Sequence, residues 1–182
     1  MKVILLAMAC GVIAMLAGAA EPPPLAPEMD EFLAWYKTYQ GSYMPPEVFK
    51  AYRQELGRLD LSGEEIARRM ALVQKTVSAM PPQFTTLHFD RIYSQAVPPF
   101  RNEANQLLVR IAAGLKPGAA LDVAMGQGRN SLYLAGKGWK VTGYDLSEHG
   151  LAQAQEAAGK AGLTLKTVRA SHEEFDYGKE RW

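Results

Sequence analysis

Apolar positions follow three different spacings along the chain, and each predicts a different kind of element. From Val3 to Ala20 no charged residue interrupts the apolar run. Between Glu28 and Pro82 apolar residues recur every three or four positions, which predicts helices over roughly Glu28 to Tyr39 and Pro46 to Leu56. Phe32, Trp35, Tyr36, Phe49 and Tyr52 crowd these two helices and read as packing residues. A third helix is marked by Ser62 and Glu65 as a capping box. Ile66, Met70, Val73 and Val77 follow at helical spacing until Pro81-Pro82 ends it. From Phe84 the pattern predicts a short irregular segment holding Phe89, Tyr93 and Phe100. A helix from about Asn102 to Ala113 follows, with Leu107, Leu108, Ile111 and Leu115 on its apolar side.

Beyond Pro117-Gly118 the rhythm changes to strand and helix in alternation. Ala120 to Val123 is a short apolar strand, Gly126-Gln127-Gly128 a tight loop, and Asn130 to Lys137 a helix. Trp139 to Tyr144 is a second strand ending at Asp145. Ser147 is placed to cap a helix running to about Ala161, with Leu151, Ala154 and Ala158 inward, and Leu163 to Val168 alternates as a third strand. Strands separated by helices of this length need crossover connections, so the fold class is α/β with an open parallel sheet. Such sheets bind ligands at the carboxyl ends of their strands. Asp122 with the glycine loop, Asp145, and the segment Ala170 to Glu173 all fall there.

The apolar run at the start has the order of a secretory signal. Lys2 precedes it, Ala17-Gly18-Ala19 or Gly18-Ala19-Ala20 supplies small residues for cleavage, and Glu21 with Pro22, Pro23, Pro24 and Pro27 follows. The run is also just long enough to serve as an uncleaved anchor. Either way the positive charge lies before it, which puts the remainder outside the cytoplasm. The domain boundaries expected are a signal or anchor over 1–20, a proline-rich linker over 21–27, a helical region over 28–83 and an α/β region over 84–182.

Charge narrows the partners. Twenty basic and nineteen acidic side chains leave a net charge of +1, too little field for a nucleic-acid surface, and no membrane contact is expected beyond the first segment. Cys10 is the single cysteine and lies in the leader, so a mature chain would carry neither disulfide nor thiolate metal site. His88, His149 and His172 lack metal-ligand spacing and read as surface or capping residues.

The run Leu121-Asp122-Val123-Ala124-Met125-Gly126-Gln127-Gly128-Arg129-Asn130, followed by Val141-Thr142-Gly143-Tyr144-Asp145, resembles the cofactor motifs of class I S-adenosylmethionine (SAM)-dependent methyltransferases. It is especially similar to the tellurite-resistance-type branch, and the resemblance covers about Phe89 to Phe175. It implies that SAM is the cofactor. Asp122 would attract its ammonium, and the loop Ala124, Met125, Gly126 and Gly128 would approach it through backbone. Asp145 would accept the ribose hydroxyls, Leu146 would cover the adenine, and Ser171 would stand where relatives often carry an acid for the adenine amino group. Ala124 departs from a common glycine. Tyr93 resembles a tyrosine that closes over the cofactor, and a plain packing role is equally open.

The same resemblance implies a strand order 3-2-1-4-5-7-6, of which the first three strands lie between Ala120 and Val168. The chain is therefore expected to be an incomplete domain with its first strand at an open edge, inactive alone, the acceptor being chosen by later loops. A nicotinamide-binding oxidoreductase is the competing reading. Ser131 stands where its third glycine would fall, and Asp122 would repel a pyrophosphate. A noncatalytic domain that keeps the fold is the third.

Overall fold

The computed structural model describes residues 24–95 and 99–178, and the backbone alone of residues 5–7. Two compact units divide the chain, Ala20–Arg91 on one side, and Met1–Ala19 with Ile92–Trp182 on the other.

The first unit is helical. α1 (Pro27–Thr38) and α2 (Pro45–Leu56) each begin with a proline in the first turn, where its missing N–H costs nothing. α3 (Gly63–Ser78) starts at Ser62, whose Oγ accepts the Glu65 N–H at 3.1 Å. Only half of the expected capping box forms, because the Glu65 carboxylate binds Arg68 and Arg69 instead. Met29, Phe32, Tyr36, Val48, Tyr52, Leu56, Val73 and Phe84 form the core. α4 (Pro82–Tyr93) corrects the expected irregular segment. Pro81-Pro82 closes one helix and also opens the next, and Phe84, His88 and Ile92 then follow at helical spacing.

The second unit is a parallel sheet in the order β1-β2-β3-β4. β2 (Ala119–Val123), β3 (Lys140–Asp145) and β4 (Lys166–Arg169) are the three strands read from the sequence, and their order is the one expected. β1 (Leu5–Ala7) was not expected. Its backbone runs parallel to β2, with Leu6 opposite Asp122, on the edge expected to be open. An edge strand offers unpaired N–H and C=O groups, and an apolar segment placed beside them satisfies both. The rest of the leader lies outside the described residues, as does Cys10. Among the described residues no helix is long and apolar enough to cross a membrane.

α5 (Gln106–Ala113), α6 (Arg129–Gly136) and α7 (Glu148–Lys160) complete this unit. α5 begins four residues later than expected because Asn105 is its cap, accepting the Leu107 N–H at 2.8 Å. Its buried face is Leu108 and Ala112, whereas Leu107 and Ile111 are exposed, which corrects the expected apolar side. Leu134, Val141, Leu151, Ala154, Ala158 and Leu165 join Leu108 in one core between the helices and the sheet. On the opposite face Leu121 and Tyr144 pack with Phe175, the Tyr144 and Phe175 rings stacked at 4.3 Å.

Candidate functional site

The carboxyl ends of β2 and β3 meet at a five-residue turn, Ala124 to Gly128. The ladder continues two residues past β2, where the Met125 N–H donates to the Tyr144 carbonyl at 2.9 Å. The chain then reverses through left-handed backbone at Ala124 (φ 52°), Gly126 (φ 51°) and Gly128 (φ 79°), the last being the N-cap of α6. Gly126 and Gly128 adopt this conformation freely. Each is also closely approached: a Cβ on Gly126 would collide with the Tyr93 hydroxyl, and one on Gly128 would lie 2.8 Å from the Ala154 Cβ. Ala124 sits in a region that favours glycine, so its methyl holds a strained turn on the surface.

Two buried carboxylates fix this turn. Asp145, 8% exposed, accepts the Gly126 N–H on Oδ2 and the Ser147 N–H on Oδ1, both at 2.8 Å. Asp122, 3% exposed, accepts the Ser131 hydroxyl at 2.7 Å and so ties β2 to the first turn of α6. Burial pushes its carboxyl up to about 6, against the opposing pull of the hydrogen bonds from Ser131. Ser131, fully buried, is thus the partner that the glycine of a dinucleotide motif could not be.

The other expected site residues fall around this turn in different ways. The Met125 side chain turns inward against Gly143 and joins the core, leaving its backbone to face the turn. Leu146 is half-buried between Asp145 and Ser147, which caps α7 through the Gly150 N–H at 3.1 Å. Ser171 is buried past the end of β4, and its Oγ accepts the Glu174 N–H at 3.2 Å while Glu174 accepts the Ser171 N–H at 2.9 Å. This is a reciprocal capping box, and the Ser-x-x-Glu spacing that announces it was legible in the sequence.

Tyr93, 8% exposed, lies against Gly126 and Gly150, its ring 5.1 Å from that of Phe100. Burial, then the nearby Asp145 charge, raises its phenol well above the ordinary range, so it is neutral at any physiological pH. Gln127, Arg129 and Asn130 reach the segment Arg101 to Asn105, contacts that apolar periodicity could not reveal. Among the described residues no group of three His, Cys, Asp or Glu side chains could hold a metal. His88, expected as a surface or capping residue, is half-buried in the helical unit, where its Nδ1 lies 3.0 Å from the Tyr36 hydroxyl.

A small, acid-lined turn suits a ligand carrying both a cation and vicinal hydroxyls. The glycines, the Asp145 carboxylate and the costly charge of Asp122 are each consistent with SAM. Comparison with known proteins points the same way. Residues 120–182 match a family model described as a methyltransferase domain. A segment of 61 residues is 40% identical to a probable S-adenosyl-L-methionine-dependent methyltransferase, TehB, of Haemophilus influenzae, over 34% of this chain and 21% of that protein. The crystal structure of TehB from the same organism is 30% identical, with a TM-score of 0.36 over 46% of this chain and 27% of that one. A structure from work on the conversion of a disulfide bond into a thioacetal group during echinomycin biosynthesis is 34% identical. Its TM-score is 0.45, over 48% of this chain and 39% of that one. The chain thus spans about a fifth of the length of the curated relatives it matches. Residues 120–182, which include the glycine turn, are thus similar to part of a SAM-dependent methyltransferase domain.

Proposed function

We propose that the protein takes part in methyl transfer from SAM to an acceptor, with the turn between β2 and α6 as the cofactor site. The observation that carries this reading is the pair of buried carboxylates at adjacent strand ends, Asp122 and Asp145, set around a left-handed glycine turn. Asp145, whose carboxylate is held beside the turn by the Gly126 and Ser147 amides, receives the ribose hydroxyls. Asp122 balances the ammonium, directly or through water, and recovers in that contact part of the cost of its own burial. Leu146 covers the adenine, Ser171 accepts from the adenine amino group, and the backbone of Ala124, Met125, Gly126 and Gly128 shapes the methionine end.

SAM supplies a methyl already activated by its sulfonium, so the protein contributes chiefly position. An in-line displacement needs the acceptor held opposite the sulfur, and orientation alone accounts for much of such a rate. No residue here is assigned as acid or base. A nicotinamide cofactor is opposed by Asp122, whose charge would face a pyrophosphate, and by Ser131 in place of a glycine. Equilibrium dialysis with methyl-labelled SAM tests the reading. Retention that the demethylated product displaces and NAD does not would support it, and preferential retention of NAD would overturn it.

The leader is proposed to direct export, leaving a mature chain that starts at Ala20 or Glu21. Cell fractionation with N-terminal sequencing decides this. A cytoplasmic protein beginning at Met1 or Met29 overturns export, and fits the compartment where SAM is made.

A further inference from the structure

The segment between Phe100 and Asn105 has few apolar anchors, yet three consecutive polar side chains around Gly128 hold it. Gln127 Nε2 donates to the Arg101 carbonyl at 3.3 Å and to Asn102 Oδ1 at 2.7 Å. Arg129 donates to the Glu103 carbonyl at 3.4 Å. Asn130, 4% exposed, accepts the Asn105 N–H on Oδ1 at 2.9 Å, and Asn105 in turn caps α5. Arg101, Asn102 and Glu103 are themselves exposed, so these bonds rather than burial fix the strap. At its near end Phe100 packs on Tyr93, and Tyr93 lies against Gly126.

We propose that Asn130 and Gln127 are positioning residues: they clasp the Phe100–Asn105 strap to the glycine turn and, through Phe100, set Tyr93 over Gly126. This rests on the reading of that turn as the SAM site. Neither side chain needs to touch the cofactor. Each bonds a backbone group of the strap, so strap and turn move as one body, and the wall beside Gly126 is built before the ligand arrives. A preassembled wall lowers the ordering cost of binding and slows dissociation. The polar spacing Gln127-x-Arg129-Asn130 follows from this task. The residues flank Gly128, the N-cap of α6.

The peptide bond after Arg101 is itself held by Gln127, which makes tryptic cleavage there a direct readout of the clasp. In the full chain without ligand, Asn130→Ala and Gln127→Glu are expected to be cut after Arg101 about tenfold faster than the parent, since cleavage follows the population of the opened strap. Asn130→Asp keeps the accepting oxygen and is expected to be cut within about twofold of the parent rate. Labelled SAM should be retained about tenfold less by Asn130→Ala and near the parent level by Asn130→Asp. Parental cleavage of both Asn130→Ala and Gln127→Glu overturns the clasp, as does an Asn130→Asp as labile as Asn130→Ala. Should Asn130→Ala fail to fold, the half-exposed Gln127→Glu carries the same outcomes. Faster cleavage of the variants, with no SAM retained by the parent chain, refutes the cofactor reading, and with it the positioning role, while the clasp itself stands.

Discussion

The carboxylate of Asp145 accepts the backbone N–H of Gly126 at 2.8 Å, binding the end of one strand to the turn that leaves its neighbour. One side chain thereby shapes the turn and places a carboxylate beside it. Asp145→Ala should weaken SAM binding by about 1.5 to 3 kcal/mol if the ribose contacts are charge-assisted. It should also lower the melting temperature, because two buried amides lose their acceptor. Titration and thermal melts of the same protein separate these effects. Unchanged affinity would remove Asp145 from the site.

Asp122 predicts a pH dependence of definite sign. Its carboxyl is raised in the fold to about 6, chiefly by burial. Its stabilising contribution is therefore complete below its unfolded value near 4 and is lost as pH rises through 6. Asp122→Asn should gain stability over the parent at pH 8, by up to about 3 kcal/mol, and almost none at pH 4. Binding has the opposite trend. A cationic ligand favours the ionised form, so SAM affinity should rise from pH 5 to pH 7 in the parent and stay flat in Asp122→Asn. A parent with flat affinity across that range would contradict the assignment.

Ala124 tests the geometry of the turn without touching the core, since its side chain is exposed. Its left-handed backbone costs an alanine on the order of 1 kcal/mol, of which the entropy of a freer unfolded chain offsets a part on replacement by glycine. Ala124→Gly should melt at or above the parent temperature. Ala124→Val, β-branched at the same φ, should melt clearly below it. Chemical denaturation of both checks the order, and a reversed order would show that the turn is not left-handed there.

The three strands, their order and both acids at their ends were legible because strand-helix alternation is local and the crossover rule is general. α4 is hidden in the sequence because Pro81-Pro82 reads as an ending, although the same residues open a helix equally well. The late start of α5 followed from one residue, Asn105, whose side chain competes for the cap with the turns before it. Within the site, Asp122, Asp145 and the glycines could be named from residue type and position. Gln127 and Asn130 could not, because their partners lie some 25 residues away, in a segment with no periodicity. The inward turn of Met125 likewise depends on the space above Gly143, a tertiary fact.

β1 joins the questions of export and edge protection. In the full chain Leu5–Ala7 pairs with β2, so a chain beginning at Glu21 should bare that edge. Light scattering is expected to show self-association of the shortened chain at concentrations where the full chain remains monomeric. Leu6→Pro, which removes a ladder N–H, should shift the full chain the same way. Equal dispersity of all three would show that the pairing does not protect the sheet.

The central claim, that the turn between β2 and α6 holds SAM, is tested most directly by amide NMR during titration with the demethylated cofactor, which detects even weak binding. Saturable shifts should centre on Met125, Gly126, Gly128, Asp145, Leu146 and Ser171, and Asp145→Ala should diminish them. Shifts absent from these amides, or produced there by NAD and not by the SAM product, would contradict the account.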